Sequence, residues 1–140
     1  MTTDPLRAYR QTRVKTASQG QLIVMLYDEG LKQLKAAEIE LGGSQPKLDS
    51  AHNAIVKAQD VITELMVSLD FDKGGDIAQN LFHLYMYFNQ KLIDANLTKD
   101  VSGISEVYKL MSELRSAWAS IEGEGAGQPG NVSAGVNLAG

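Results

Sequence analysis

The chain has 140 residues, of which 44% are hydrophobic and 21% are charged, and its net charge is −4. This length and balance indicate one globular domain with its own core. They exclude a disordered chain and a general basic surface for nucleic acid. Because the chain has no cysteine, a disulfide framework and a thiolate metal site are excluded as well. No apolar signal core and no run of about 18 apolar residues is present, so we expect a cytoplasmic protein without membrane insertion.

The chain begins with a basic segment, residues 1–17, which we predict to be an N-terminal arm. Tyr9 and Val14 are interleaved there with arginine and lysine residues. The next residues fit the S-x-x-Q capping box, in which the side chains of Ser18 and Gln21 accept hydrogen bonds from backbone N–H groups at a helix start. The first helix is therefore predicted to begin directly after Ser18.

That helix is predicted to run from Gln19 to Leu41. Its six consecutive apolar residues, 22–27, cover most of the helix circumference rather than one stripe, so part of this surface needs a cover beyond the helix's own core. Gly30 in mid-helix costs about 1 kcal/mol relative to alanine, and we expect it to permit a close helix contact. The predicted core stripe is Ile23, Leu26, Tyr27, Gly30, Leu34, Ala37 and Leu41.

Three further helices are predicted from apolar stripes with spacings of three and four residues. The predicted starts are Ser44 or Pro46 for the second helix, a cap at Asp76 after a turn at residues 71–75 for the third, and a cap at Asp100 or Ser102 for the fourth. The stripes are Leu48, Ala51, Ile55, Ala58, Ile62, Leu65 and Leu69; then Ile77, Leu81, Leu84, Phe88, Leu92 and Ala95; then Ile104, Val107, Met111, Leu114, Trp118 and Ile121.

Four long helices joined by short connections predict an all-α fold, an up-down-up-down antiparallel four-helix bundle over residues 18–121. Residues 122–140 are rich in glycine and have no apolar periodicity. Such a segment buries too little surface to offset the entropy cost of ordering it. We therefore predict a disordered C-terminal tail.

The sequence does not favour either of two kinds of chemistry that helical bundles carry. A di-iron site needs Glu-x-x-His pairs on facing helices, and the nearest match is one pair, Asp49 and His52, because His83 has Asn80 in place of a carboxylate. His52 is also a weak phosphotransfer candidate, since the four residues directly after it, 53–56, include neither a basic residue nor a glycine. No nucleophile, base or phosphate loop stands out, so we predict a protein that is not an enzyme and holds no cofactor or metal.

Apolar residues beyond the core stripes are the feature that points to a function. Methionine and tyrosine are prominent among them, and both adapt to varied apolar partners. Together these residues predict hydrophobic grooves between helices where an amphipathic segment could bind. They are Val24, Leu31, Val61, Met66, Val67, Phe82, Tyr85, Met86, Tyr87, Tyr108 and Leu110.

The sequence resembles the flagellin export chaperone family, FliS, over most of its length. The similar blocks appear in the family's order and are Tyr9, Val14, 16–18, Leu22 and 25–28; 58–66; 74–81 and 84–85; 92–97; and 114–115 with Trp118. The sequence departs from the family pattern in three places. Gln19 and Gly20 stand where a proline-containing turn is common. The other two departures are at Glu29 and Gly30 and in the glycine-rich tail.

The resemblance implies a cytoplasmic chaperone that binds the disordered C-terminal segment of flagellin, one to one, and prevents its polymerisation before type III flagellar export. Flagellar export gate and regulatory proteins, and weak self-association of the free chain, are further expected contacts. The alternative is a four-helix adaptor that binds another helical partner, or itself, through the same grooves. The expected partner-binding residues are Tyr9, Val14, Leu22, Met25, Leu26, Tyr27, Val61, Met66, Phe82, Tyr85, Met86 and Leu110. Of these, Tyr9 and Val14 are expected to cover part of the groove beside the first helix in the free protein.

Overall fold

A computed structural model describes residues 18–127 of the protein, with side chains through residue 122. The described part consists of four helices, α1 (Gln19–Leu41), α2 (Leu48–Val67), α3 (Phe71–Thr98) and α4 (Val101–Gly127), and contains no strand. The predicted all-α fold is confirmed. The predictions for the N-terminal arm, including Tyr9 and Val14, and for the tail after Gly127 fall outside the described residues.

The start of α1 confirms the predicted capping box. The backbone N–H of Gln21 donates to the Ser18 hydroxyl oxygen at 3.1 Å, and the Gln21 side-chain oxygen accepts from the Ser18 N–H at 2.9 Å. Two of the N–H groups that lack a partner at a helix start are thereby satisfied. The buried residues of α1 are the predicted stripe without exception.

Helix α2 begins at Leu48, slightly later than the predicted start near Ser44 or Pro46. The reason is that the loop folds back onto the end of α1, where the Lys47 N–H donates to the Glu40 carbonyl oxygen at 2.8 Å. Leu48 is half exposed rather than part of the core. Leu69, the last residue of the predicted stripe, lies beyond the helix and is half-buried.

Helix α3 begins earlier than predicted, so the prediction of Asp76 as its cap is wrong. Its N-cap is Asp70, whose side chain accepts from the Lys73 backbone N–H at 3.0 Å. Residues 71–74 therefore form a helical turn, and the chain breaks helical geometry at Gly75, where φ is 52° and ψ is −126°. L-residues with a side chain rarely adopt a positive φ, so glycine is required at this break.

Helix α4 starts with the predicted cap, because the Asp100 carboxylate accepts from the Ser102 backbone N–H at 2.9 Å and from the Ser102 hydroxyl at 2.8 Å. The helix continues to Gly127 instead of ending at Ile121. A contact lies near this end: the Ser18 hydroxyl donates to the Glu122 carboxylate at 2.8 Å, which places this part of α4 beside the start of α1.

The helices form a ring in which α1 packs against α2 and α4, and α3 also packs against α2 and α4. Helices α1 and α4 are antiparallel, because early residues of one contact late residues of the other. Three hydrogen-bonded pairs show this: Ser18–Glu122, Asp28–Arg115 and Glu38–Ser105. Helices α3 and α4 are also antiparallel, since Ala95 lies against Gly103 while Tyr87, two turns earlier, bonds Glu106. These orientations are those that an up-down-up-down bundle requires.

Candidate functional site

The described residues enclose an apolar pocket of about 140 Å³ between the first half of α3 and the last turns of α4. Spacings of four residues on α3, and of three and four on α4, place its lining side chains on one face of each helix. The lining residues are Ile77, Leu81, Leu114, Ala117, Trp118 and Ile121. None of them carries a charge, so the pocket suits an apolar group.

The pocket opens to the surface along one side. Ile77 is 43% exposed and Ala117 is also exposed, whereas Trp118 at the back is only 7% exposed. Leu110 is half-buried one turn before Leu114 on α4, and the i, i+4 spacing places it on the same face. Leu110 therefore extends the apolar wall of the pocket toward the middle of the bundle.

A buried hydrogen-bonded cluster of three aromatic residues lies behind the pocket. The hydroxyl oxygens of Tyr27 and Tyr85 are 2.6 Å apart, and the indole N–H of Trp118 donates to the Tyr27 oxygen at 3.4 Å. Burial raises the pKa of Tyr27 to about 12, although its hydrogen bonds to Tyr85 and Trp118 act in the opposite direction. Burial is also the main reason that the pKa of Tyr85 is raised, with further contributions from Tyr27. Both hydroxyls therefore stay neutral at physiological pH.

A second apolar surface follows the opposite flank of α3. Phe82, Met86, Ile93 and Leu97 repeat at intervals that place them on one helix face, and Met86 and Leu97 are 49% and 80% exposed. This face borders α2, because the amide of Asn96 contacts a ring nitrogen of His52 at 2.9 Å. We call these four residues the α3 outer stripe.

The α3 outer stripe contains one polar interruption. Asn89 lies between Met86 and Ile93 on the same face, and its side-chain oxygen is buried without a hydrogen-bond partner. A buried unpaired acceptor of this kind costs roughly 1–3 kcal/mol. Among the described residues, Oδ1 of Asn89 is the one buried side-chain oxygen or nitrogen atom without a hydrogen-bond partner.

The structure separates the expected partner-binding residues into groups. Leu26, Tyr27, Val61 and Tyr85 are buried in the core, so in this arrangement they present no surface to a partner. The others among the described residues are accessible to different degrees. They are Leu22 and Met25, half-buried on α1; Met66 and Phe82, half-buried; Met86, exposed on the α3 outer stripe; and Leu110, half-buried beside the pocket.

The sequence pattern places most pocket residues in the core. Ile77, Leu81 and Trp118 belong to predicted core stripes, whereas Ala117 lies on none. An apolar stripe shows which face of a helix turns inward, but a core position and a groove position share that spacing. The one available signal was that these stripes continue into the helix ends, where fewer neighbouring residues are available to cover them.

The residues that were weighed for metal or phosphotransfer chemistry do not converge. Within residues 18–127, no group of three or more histidine and carboxylate side chains is arranged to hold a metal ion. His52 is exposed on α2 and contacts Asn96 of α3, while His83 is exposed and lies edge-on to Phe82 at 5.9 Å. No helix within this part of the chain has the length and apolarity of a membrane span.

The fold and its surfaces define an all-helical bundle whose accessible apolar pocket and stripe suit the binding of another polypeptide segment. The family model described as "Flagellar protein FliS" matches residues 2–125. The chain belongs to the FliS family of flagellar chaperones, which are not enzymes.

Several relatives support this assignment across most of the chain. The flagellar secretion chaperone FliS of Salmonella typhimurium is 38% identical over 125 residues, covering 86% of this chain and 91% of that protein. The chaperone of the same name from Escherichia coli is 36% identical over 109 residues, covering 77% and 79%. That of Bacillus subtilis is 29% identical over 115 residues, covering 82% and 84%. The resemblance found in the sequence blocks is confirmed, and the chain is a flagellar export chaperone.

Proposed function

We propose that this chaperone binds the disordered C-terminal segment of flagellin in the cytoplasm, one to one, and thereby prevents flagellin polymerisation before export. The observation that carries the proposal is the open apolar pocket between α3 and α4. Terminal segments that fold only against neighbours in a filament need a substitute apolar surface while they are monomeric. The chaperone would supply that surface.

The size and chemistry of the pocket favour a helical segment with one large anchor. A volume of about 140 Å³ suits one leucine, methionine or phenylalanine side chain, as in helix-in-groove recognition. A disordered client must bury about 1,000–3,000 Å² to offset the entropy cost of its own ordering. One pocket is too small for this, so we assign a share of the contact to the α3 outer stripe.

The N-terminal arm has a place in the same proposal. Tyr9 and Val14 would cover apolar surface beside α1 in the free chaperone and would move aside when the client binds. Leu22 and Met25 are half-buried on α1 and are the surface that we assign to this exchange. We propose that contacts with export gate and regulatory proteins, and weak self-association, use the same apolar surfaces.

The proposal is tested by calorimetric titration of the full chain with the C-terminal segment of flagellin from the same organism. We expect saturable one-to-one binding with a large negative heat-capacity change, because apolar surface is buried. In the variant Ala117→Gln, a polar side chain enters the pocket from an exposed position, and we expect at least about tenfold weaker binding, equivalent to about 1.4 kcal/mol.

Ser116→Gln is the matched control, since it places the same side chain on the preceding residue of α4, which is exposed and is not part of the pocket lining. This variant should bind like the wild type. If the folded wild-type protein shows no binding at high micromolar concentration, the flagellin proposal fails and a four-helix adaptor becomes the better interpretation. If Ala117→Gln binds normally while the wild type binds, the client uses a different surface.

A further inference from the structure

Three helices contribute to the buried polar cluster behind the pocket, which is an unusual feature of this core. Tyr27 comes from α1, Tyr85 from α3 and Trp118 from α4. Apart from such aromatic residues, no polar or charged residue with a described side chain is buried as a whole, although the Asn89 oxygen atom is. Because an unpaired polar group in an apolar interior is costly, the geometry of this cluster constrains the relative positions of the three helices.

The donors and acceptors of the cluster place Tyr27 at its centre. An indole N–H can only donate, so the Tyr27 oxygen is the acceptor for Trp118 at 3.4 Å. The Tyr27 and Tyr85 hydroxyls share a second bond at 2.6 Å. Loss of the Tyr27 hydroxyl therefore leaves both other groups without this partner, whereas loss of the Tyr85 hydroxyl leaves the bond between Trp118 and Tyr27 in place.

The cluster also touches the pocket directly. Trp118 forms part of the pocket lining while its N–H contacts the Tyr27 hydroxyl. On α3, Tyr85 follows the lining residue Leu81 by one helical turn. A shift of the indole ring would therefore change the shape of the pocket wall, although Tyr27 itself has no exposed surface.

We infer that Tyr27 is a positioning residue for client binding: its hydroxyl holds the Trp118 ring in the orientation that keeps the pocket open to an apolar anchor. The inference rests on the proposed function, since it concerns the pocket to which we assign the client. It gives this core tyrosine a role in recognition that its burial alone does not suggest.

Tyr27→Phe and Tyr85→Phe provide a matched pair of variants for the test. Each removes one hydroxyl and breaks the 2.6 Å bond, so both should be less stable than the wild type. In Tyr27→Phe alone, Trp118 loses its acceptor. We therefore expect about threefold to tenfold weaker binding of the flagellin segment by Tyr27→Phe, which corresponds to one net hydrogen bond, and nearly unchanged binding by Tyr85→Phe.

A spectroscopic measurement on the free protein distinguishes a change in the orientation of Trp118 from a general loss of stability. Trp118 is the only tryptophan of the chain, so its indole N–H resonance and its fluorescence quenching by acrylamide report on this one ring. Tyr27→Phe should shift the resonance and increase quenching, and Tyr85→Phe should do neither. Both variants are measured at a temperature at which circular dichroism shows them to be fully folded.

The double variant, Tyr27→Phe with Tyr85→Phe, separates stability from recognition. It should be more stable than Tyr27→Phe alone, because no tyrosine hydroxyl is left unpaired, but its binding should remain weak. Equal indole signals in the two single variants would overturn the inference, whether or not flagellin binds. If the wild type fails to bind flagellin while the indole signals differ as expected, the proposed function fails and the positioning of Trp118 by Tyr27 stands.

Discussion

Gly30 shows how one residue sets the distance between helices. A Cβ atom at this position would lie 3.0 Å from the terminal methyl of Met111 and 3.2 Å from a methyl of Val61. Both distances are shorter than an ordinary van der Waals contact, which is about 3.5–4.0 Å between carbon atoms. The close contact that the sequence predicts at this mid-helix glycine is therefore present, and it involves α2 and α4 together.

We expect Gly30→Ala to lower the free energy of unfolding by about 1 kcal/mol. The added methyl group overpacks the core, which costs about 1–3 kcal/mol, and the better helix propensity of alanine returns about 1 kcal/mol. Urea unfolding at equilibrium measures the difference. In a Val61→Ala background, which removes one of the two contacts, the same substitution should cost less or become stabilising. If Gly30→Ala lowers the free energy of unfolding equally in both backgrounds, contact with Val61 is not the cause of the destabilisation.

Tyr85 illustrates what periodicity could not decide at the level of single residues. The sequence assigns it to surplus apolar surface, yet it is 1% exposed, whereas the predicted core residue Ile77 is 43% exposed. Helix α3 carries large apolar residues on nearly every face, so spacing alone does not select the inward one. Which face of α3 turns inward depends on the positions of α2 and α4, and the spacing of residues within α3 gives no information about those positions.

At the scale of the element, the start of α3 shows a cap that the sequence pattern missed, because the pattern pointed to Asp76 alone. Asp70 caps the first turn through the Lys73 N–H, while Asp76 follows the break at Gly75. Aspartate is a typical helix-start residue in both places, but only Asp76 directly follows the glycine pair. The difference between them comes from the positive φ of Gly75, which allows a helical turn to precede the break.

We expect Asp70→Ala to destabilise the protein by about 0.5–2 kcal/mol, the range for loss of an N-cap. Asp76→Ala, the matched control on the same helix, should stay within about 0.5 kcal/mol of the wild type, as for most exposed positions. Chemical denaturation of the two variants in parallel is the measurement. A larger loss for Asp76→Ala than for Asp70→Ala would mean that Asp76, directly after the break at Gly75, contributes more to stability than the cap of the preceding turn.

At the scale of the whole molecule, the number of helices and the inward face of α1 follow from the sequence, because long stripes and a capping box act locally. The pocket does not follow in the same way. It depends on how far the end of α4 extends beside α3, and α4 continues past Ile121 into a glycine-containing segment. The contact of Glu122 with Ser18 joins residues at opposite ends of the described chain, and local spacing contains no information about it.

The buried tyrosines predict how the stability of the bundle depends on alkaline pH. In an unfolded chain a tyrosine has a pKa of about 10, while in the folded protein burial raises the pKa of Tyr27 to about 12 and raises that of Tyr85 as well. Above pH 10 the unfolded state therefore binds fewer protons than the folded state, and stability falls as pH rises. Well below that pH both states are protonated and these two groups add no pH dependence.

We expect the free energy of unfolding to fall with increasing slope from about pH 9.5 through about pH 12, the window between the unfolded and folded pKa values. Urea unfolding at a series of pH values gives the slope, and absorbance at the tyrosinate band should show a step of tyrosine ionisation that coincides with unfolding. The double variant Tyr27→Phe with Tyr85→Phe should have a shallower slope in this window. An unchanged slope would show that other groups, such as the lysines, cause the loss of stability at alkaline pH. It would also mean that the pKa values of Tyr27 and Tyr85 are not raised in the folded protein.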